Sequence, residues 1–304
     1  KTALFMKFQS IYIIILLFIF TSCGDFKDKS ENQSQVDNSK EIVSISPEEK
    51  INLELGNSFF SIPSPVQIAM DLEANNSPFN AELLHDPESY QNYTSEFSKS
   101  LVMGIYGTDL AYCSVYGKTS EAMKYFAAMK KMADELNAGY AFNESLLKRF
   151  SENIDNKDSL LTLTSDAFQE VDAYLKDNNN HDIAAIALAG GWMESMYLQS
   201  NALMNDTSDV MQLKIAQNKH TLDHFINLID NIGSSDDFWE LKEMFEDVKI
   251  LYNDVKNDYT YIAPVTNGKI KKTVIKSKSS FVTDLSTSSQ IAKEFINLRN
   301  FYAE

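Results

Sequence analysis

Two pairs of glycines lie inside stretches that otherwise read as strongly apolar helix: Gly104 and Gly107 after Leu101, and Gly190 and Gly191 within residues 181–202. A glycine in a helix interior costs about 1 kcal/mol relative to alanine, so each pair needs a compensating contact. Close approach of two helices supplies it. Gly104 and Gly107 fall on one helical face, and Ala185, Leu188, Gly190 and Gly191 offer a matching small surface. The pattern therefore predicts two buried helices crossing at the centre of the fold.

The rest of the chain supports a helical architecture. Apolar residues recur at three- and four-residue steps from Tyr93 onward, through Phe97, Leu101, Ile105 and Thr108, the spacing of a buried helical stripe. Further helices are predicted from Pro65, over Thr119–Asn137 with Thr119 or Ser120 as cap, Asn143–Ser151, Ser165–Lys176, His181–Ala202, Asp209–Ile229, Asp236–Asn257 and Ser286–Tyr302. Before Pro65, the Phe59–Pro65 motif carries two prolines separated by one residue and predicts an extended arm. Alternation with period two is confined to Lys269–Phe281, which predicts one short hairpin or edge strand. The expected fold is all-α, a multi-helix bundle or stacked helical pairs with one short β-hairpin near the C-terminus, over a single domain of residues 48–304. A repeat of about 34 residues with the tetratricopeptide signature is not found.

Three constellations bear on chemistry. The first is Tyr106, Asp109 and Tyr112 on the early glycine-bearing helix: a buried hydrogen-bonded set, or alternatively the lining of a ligand pocket where the helix is thinned. The second is Gly190–Tyr197, in which Trp192, Met193 and Met196 read as a packing stripe and Glu194 as a carboxylate at its rim, a fourth pocket candidate. This element is superficially similar to the Gly-x-His-x-x-Glu motif of imelysin-type periplasmic proteins, but position 192 is Trp, so that family's metal site is not carried over. The third is His220 and His224, one helical turn apart and able to chelate a cation. A zinc protease needs Glu after the first histidine, where this chain has Thr221, so solvent-facing histidines are expected and no metal. No nucleophile elbow, phosphate-cradling loop, dinucleotide fingerprint or paired-cysteine motif occurs, which argues for a binder over an enzyme and against a cofactor.

Composition narrows the partners. Residues 1–22 hold two of the 27 basic residues and none of the 43 acidic ones, so a chain starting at Cys23 has 25 basic against 43 acidic residues, a formal charge of −18. The one basic cluster is Lys269, Lys271 and Lys272 with Lys276 and Lys278. A chain this acidic repels phosphate backbones, and nucleic acid is not an expected partner. Cys113 has no partner if Cys23 carries lipid, so the core alone must hold the fold.

The N-terminus gives the address. Met6-Lys7, the apolar run Ile11–Phe20 and Thr21-Ser22-Cys23 have the charged start, short apolar core and small residues of an export signal. Phe20-Thr21-Ser22-Cys23 resembles a lipobox with Phe20 in place of the usual Leu, which makes Cys23 the expected site of lipidation; residues 1–5 precede the first plausible initiator. Residues 24–47 are polar and predict a flexible tether, holding the folded part roughly 25 to 30 Å from the lipid surface on average. The segments Ile62–Pro65, Tyr93, Gly104–Tyr112, Glu121–Phe126 and Lys130–Leu136 are similar to a group of uncharacterised lipoproteins of Bacteroidota. That resemblance implies an all-helical envelope lipoprotein and no catalytic residue, and Asp25, Lys27 and Asp28 resemble the acidic signals that send such lipoproteins to the cell surface. The expected function is a lipid-anchored outer-membrane protein, facing either the periplasm or the surface, that serves as a binding or assembly component for a protein partner in the envelope. The alternative is an envelope hydrolase or metal-binding protein using a helical pocket.

Overall fold

The computed structural model describes residues 50–55, 58–139, 181–232, 235–269, 271–274 and 277–303, with isolated positions between 145 and 166. The residues expected to form the signal, the lipidation site and the tether lie outside the described residues, as do nearly all those of the helices expected at Asn143–Ser151 and Ser165–Lys176. The helices belong to a unit that begins at Ser46.

Helix α1 (Pro65–Ala74) starts where Pro65 is tolerated at the first position and Ser64 Oγ accepts the Gln67 N–H at 3.1 Å. It ends at Asn75, and Asn76 takes φ 58°. Two short 3₁₀ turns follow, Ala81–Leu83 and Pro87–Asn92, each opened by an Asn or Asp side chain accepting the N–H two residues on: Asn80 from Glu82 and Asp86 from Glu88, both at 2.9 Å. Helix α2 (Glu96–Val115) is capped by Ser95 and buried on every face from Ser100 to Val115, which makes it the central helix. Helix α3 (Thr119–Glu135) packs beside it. Its cap residue is Lys118 rather than Thr119 or Ser120, and no side chain caps it, because the helix already begins at Thr119.

Helix α4 (His181–Asn205) runs 25 residues and crosses α2. The predicted Asp209–Ile229 helix is two: α5 (Asp209–Gln217) and α6 (Lys219–Ile232). The break is at Asn218, whose side chain turns back to donate to the Lys214 carbonyl at 2.9 Å and accepts the Trp192 indole N–H at 3.0 Å. Helix α7 (Asp236–Leu251) also stops short of the predicted Asn257. Lys219 Nζ donates to the carbonyls of Tyr252 and Val255 at 2.8 and 2.7 Å, a cation satisfying acceptors left at a helix end, and the chain then leaves as a strand. Helix α8 (Leu285–Ala303) opens with Asp284 accepting the Thr287 N–H at 2.8 Å and packs mainly on α4. Trp192 marks the centre of the core, stacked on Phe225 at 4.8 Å and met edge-on by Phe245 and Phe295 at 5.6 and 5.3 Å, which joins α4, α6, α7 and α8.

The fold is thus mostly α, as expected, with a C-terminal hairpin that is longer than Lys269–Phe281 suggests. Strands β3 (Lys256–Thr260) and β6 (Lys278–Val282) pair antiparallel, and β4 (Val265–Asn267) and β5 (Lys272–Val274), which lie between them in the chain, pair as a second two-stranded sheet. A second hairpin, β1 (Lys50–Leu55) with β2 (Ser58–Pro63), precedes α1; β2 is the extended arm predicted from its prolines, while β1 was not anticipated although Ile51, Leu53 and Leu55 alternate.

Candidate functional site

Glycine sets the geometry of the candidate site by letting α2 and α4 touch backbone to backbone. A Cβ on Gly104 would overlap the Ala187 carbonyl oxygen and lie 2.7 Å from the Gly191 nitrogen; one on Gly190 would overlap the Leu101 carbonyl. Thr108 Oγ1 donates across this crossing to the Gly191 carbonyl at 2.8 Å. Each helix carries a carboxylic acid just beyond the contact, so the close approach brings Asp109 and Glu194 together. Both are wholly buried, which corrects the placement of Glu194 at a rim.

The third member comes from α8. Arg299 donates to Glu194 twice, Nε to Oε2 at 2.8 Å and Nη2 to Oε1 at 3.3 Å. Its Nη2 also donates to the Leu83 carbonyl at 3.2 Å, and its guanidinium lies 4.3 Å from the centre of the Tyr197 ring. Two carboxylates beside one guanidinium would leave an uncompensated buried charge. Burial raises both carboxyls; Asp109 goes well above the usual carboxylate range and the Glu194 charge raises it further, whereas the charge and hydrogen bonds of Arg299 oppose the rise at Glu194 and make it the readier of the two to ionise. Asp109 is therefore the one of the two that favours its protonated form. Its Oδ1 is buried without a hydrogen-bond partner, and its Oδ2 accepts the His85 backbone N–H at 3.0 Å.

The irregular segment between α1 and α2 covers this cluster. His85 is buried, stacks on Tyr106 at 5.4 Å, and its Nε2 is hydrogen-bonded to the Tyr93 hydroxyl at 2.7 Å and to Ser89 Oγ at 3.1 Å. Burial and the Arg299 charge lower its pKa to about 4, so it is neutral at pH 7. The Tyr106 hydroxyl donates to the Asp86 carbonyl at 2.8 Å. Of the four pocket residues proposed from sequence, Tyr106, Asp109 and Glu194 are brought into one network. Tyr112 is not: it stacks on Phe79 at 5.2 Å, and its hydroxyl accepts the Asn80 N–H at 3.1 Å, tying it to the chain before the first 3₁₀ turn.

Arg299, His85, Tyr93 and Tyr197 were missed. Arg299 had a signal: it is one of only two arginines in a chain whose other basic residues are lysine, and arginine alone offers the fork that binds a carboxylate twice. His85 had none, since it reaches the cluster through a non-helical segment.

Two carboxyl groups whose pKa values are pushed apart are the composition of an acid–base dyad. Here, however, Glu194 is held by Arg299 and Asp109 by the His85 amide, with Tyr106 and His85 packed above. A substrate would have to displace the 81–93 segment first. The open depression lined by Arg149, Asn153, Ser159, Thr162 and Leu163 shares no residue with the cluster.

Of the two histidines expected to face solvent, His220 is exposed and His224 half-buried. His220 Nε2 bonds Asn257 Nδ2 at 2.8 Å, its Nδ1 lies 3.9 Å from Asp223, and its ring meets Phe281 at 5.6 Å, so it secures the root of the C-terminal hairpin. Among the described residues no group of three or more His, Cys, Asp or Glu is placed to hold a metal. Comparison with known protein families, with characterised proteins and with solved structures finds no match to this chain.

Proposed function

We propose that this protein is a lipid-anchored component of the outer membrane that binds a partner surface through its C-terminal hairpin, rather than a catalyst working through its buried carboxyl cluster. The observation that carries this reading is where the apolar side chains stand. A fold that buries its carboxyl cluster beneath Tyr106 and His85 leaves Tyr259, Tyr261 and Val265 61 to 68% exposed in the C-terminal hairpin, with Ile262, Val274 and Val282 also exposed there. Exposed aromatic and aliphatic groups gathered on one element mark an interaction site more often than chance surface placement does. The anchor is supported by the lipobox-like Phe20-Thr21-Ser22-Cys23 and by the resemblance to envelope lipoproteins of Bacteroidota.

Two measurements test the reading. Cys23→Ser should release the protein from membranes or leave an unprocessed precursor, because stable attachment depends on the acyl chains; a normally cleaved, membrane-bound variant would contradict the anchor. A photo-crosslinking residue at position 261 should give an adduct in native envelopes that the same residue at exposed Lys293 on α8 does not. Equal or absent adducts at both positions would contradict binding through the hairpin.

A further inference from the structure

The hairpin differs from the rest of the molecule in charge as well as in exposure. Residues 256–282 contain six lysines and a single acid, Asp258, while the remaining 277 residues carry 21 basic against 42 acidic. The ribbon is therefore a +5 element on a body of −21. Lys256, Lys269, Lys271, Lys272 and Lys278 are all exposed. The register separates two faces in the inner part of the ribbon: Lys256, Asp258 and Thr260 share one with Lys278 and Ser280, whereas Asn257 and Tyr259 share the other with Phe281. Farther out, Val265 pairs with Val274 and Asn267 with Lys272 on one face, leaving Thr266 and Thr273 bonded at 3.0 Å on the other.

The root is fixed. Phe281 and Asn257 meet His220, Lys219 satisfies the carbonyls of Tyr252 and Val255, and β6 lies against α5. Beyond that root the exposed residues combine lysine with Tyr259, Tyr261, Ile262 and Val265. Lysine and tyrosine interleaved with aliphatics is the composition that seats at a membrane interface, where cations meet anionic headgroups and amphipathic rings sit at headgroup depth. Pairing of one ribbon with another copy of itself is opposed by the same lysines, which repel along unpaired strand edges.

We propose that the Lys256–Val282 hairpin is a membrane-contacting arm that seats on an anionic lipid surface. This deepens the binding reading above and rests on it, since a lipid-anchored protein keeps a bilayer permanently within reach. An acidic body is repelled from such a surface while its basic arm is attracted, so arm contact orients the domain with its acidic bulk turned away. Each lysine close to an anionic leaflet contributes about fivefold to partitioning, so neutralising three should weaken binding on the order of 100-fold.

The test uses the mature chain with Cys23→Ser, which carries no acyl chain, sedimented with vesicles of equal parts phosphatidylglycerol and phosphatidylcholine or of phosphatidylcholine alone. Binding is expected to the anionic vesicles, at least tenfold weaker to the neutral ones, and reduced by salt as exposed charges are screened. The variant Lys269→Gln/Lys271→Gln/Lys272→Gln should lose most of this binding, and Tyr259→Ser/Tyr261→Ser should lose several-fold, both with unchanged melting temperature because the sites are exposed. Equal binding to both vesicle types, binding to neither, or an unaffected lysine variant would overturn the proposal. Should vesicles fail while position 261 crosslinks to a protein in envelopes, the arm binds an acidic protein instead, and only the lipid inference falls. Failure of both experiments removes the binding reading as well.

Discussion

Adding one methyl group at Gly104 tests the packing on which the candidate site is built. In Gly104→Ala the new Cβ would overlap the Ala187 carbonyl oxygen and sit 2.7 and 2.8 Å from the Gly191 nitrogen and the Ala187 carbonyl carbon, all backbone atoms of α4. None of these can rotate away, so α4 as a whole must retreat by about 1 Å to restore ordinary contact. Overpacking of this kind costs about 1–3 kcal/mol and sometimes more. Separation also strains the Thr108–Gly191 hydrogen bond, worth about 1 kcal/mol. Against this stands a gain of about 1 kcal/mol in helix propensity. The net expectation is a loss of about 1–3 kcal/mol, which for a domain of this size lowers the melting temperature by roughly 2–12 °C. Gly191→Ala provides an internal scale, because its Cβ would meet the Gly104 carbonyl oxygen at 3.2 Å and need only a slight adjustment. Urea unfolding followed by helical circular dichroism should place Gly191→Ala close to the parent and both above Gly104→Ala. A Gly104→Ala midpoint equal to or above the parent's would refute the backbone contact, and with it the reason Asp109 and Glu194 meet.

Three further outcomes follow from the cluster. His85, held neutral with a pKa of about 4 against an unfolded value near 6.5, favours the unfolded state as pH falls between those values; about 3 kcal/mol of stability should be lost from pH 7 to pH 4, and urea midpoints should show that loss shrinking in His85→Gln. Asp109 acts in the opposite sense. Its folded pKa is raised, so its contribution is full below about pH 4 and is lost as pH rises and the unfolded chain ionises; Asp109→Asn should therefore gain stability relative to the parent as pH goes from 4 to 7, and a constant difference would contradict the raised pKa. Glu194→Gln leaves Arg299 buried without its carboxylate and should cost about 3–5 kcal/mol by chemical denaturation, whereas a change below 1 kcal/mol would mean the ion pair is not closed.

Much of the helical frame was legible because it rests on local rules: Ser64, Ser95 and Ser208 cap where a short acceptor precedes an apolar stripe, and the paired glycines announced the α2–α4 crossing. The errors lie where tertiary contacts override local pattern. The sequence around Asn218 keeps helical spacing, and only the indole of Trp192, 26 residues away, explains why the helix ends there. Lys219 likewise stops α7 from a different helix, which turned residues predicted as helix into the first strand of the arm. Within the cluster, Asp109 and Glu194 were visible as acids among apolar neighbours. Their partner Arg299 stands 105 residues beyond Glu194, and His85 joins through its backbone amide, which no side-chain pattern reports.

The central claim is that Glu194 and Arg299 form a closed pair that neutralises the core and fastens α8 to α4, with Asp109 protonated beside them. A double-mutant cycle tests it directly, measuring unfolding free energies at pH 7 for the parent, Glu194→Met, Arg299→Met and the double variant. Each single change strands a buried charge and should cost about 3–5 kcal/mol, while the double removes both charges and should cost at least 2 kcal/mol less than the two singles together. Additive losses would contradict the pair and reopen the cluster to a catalytic role.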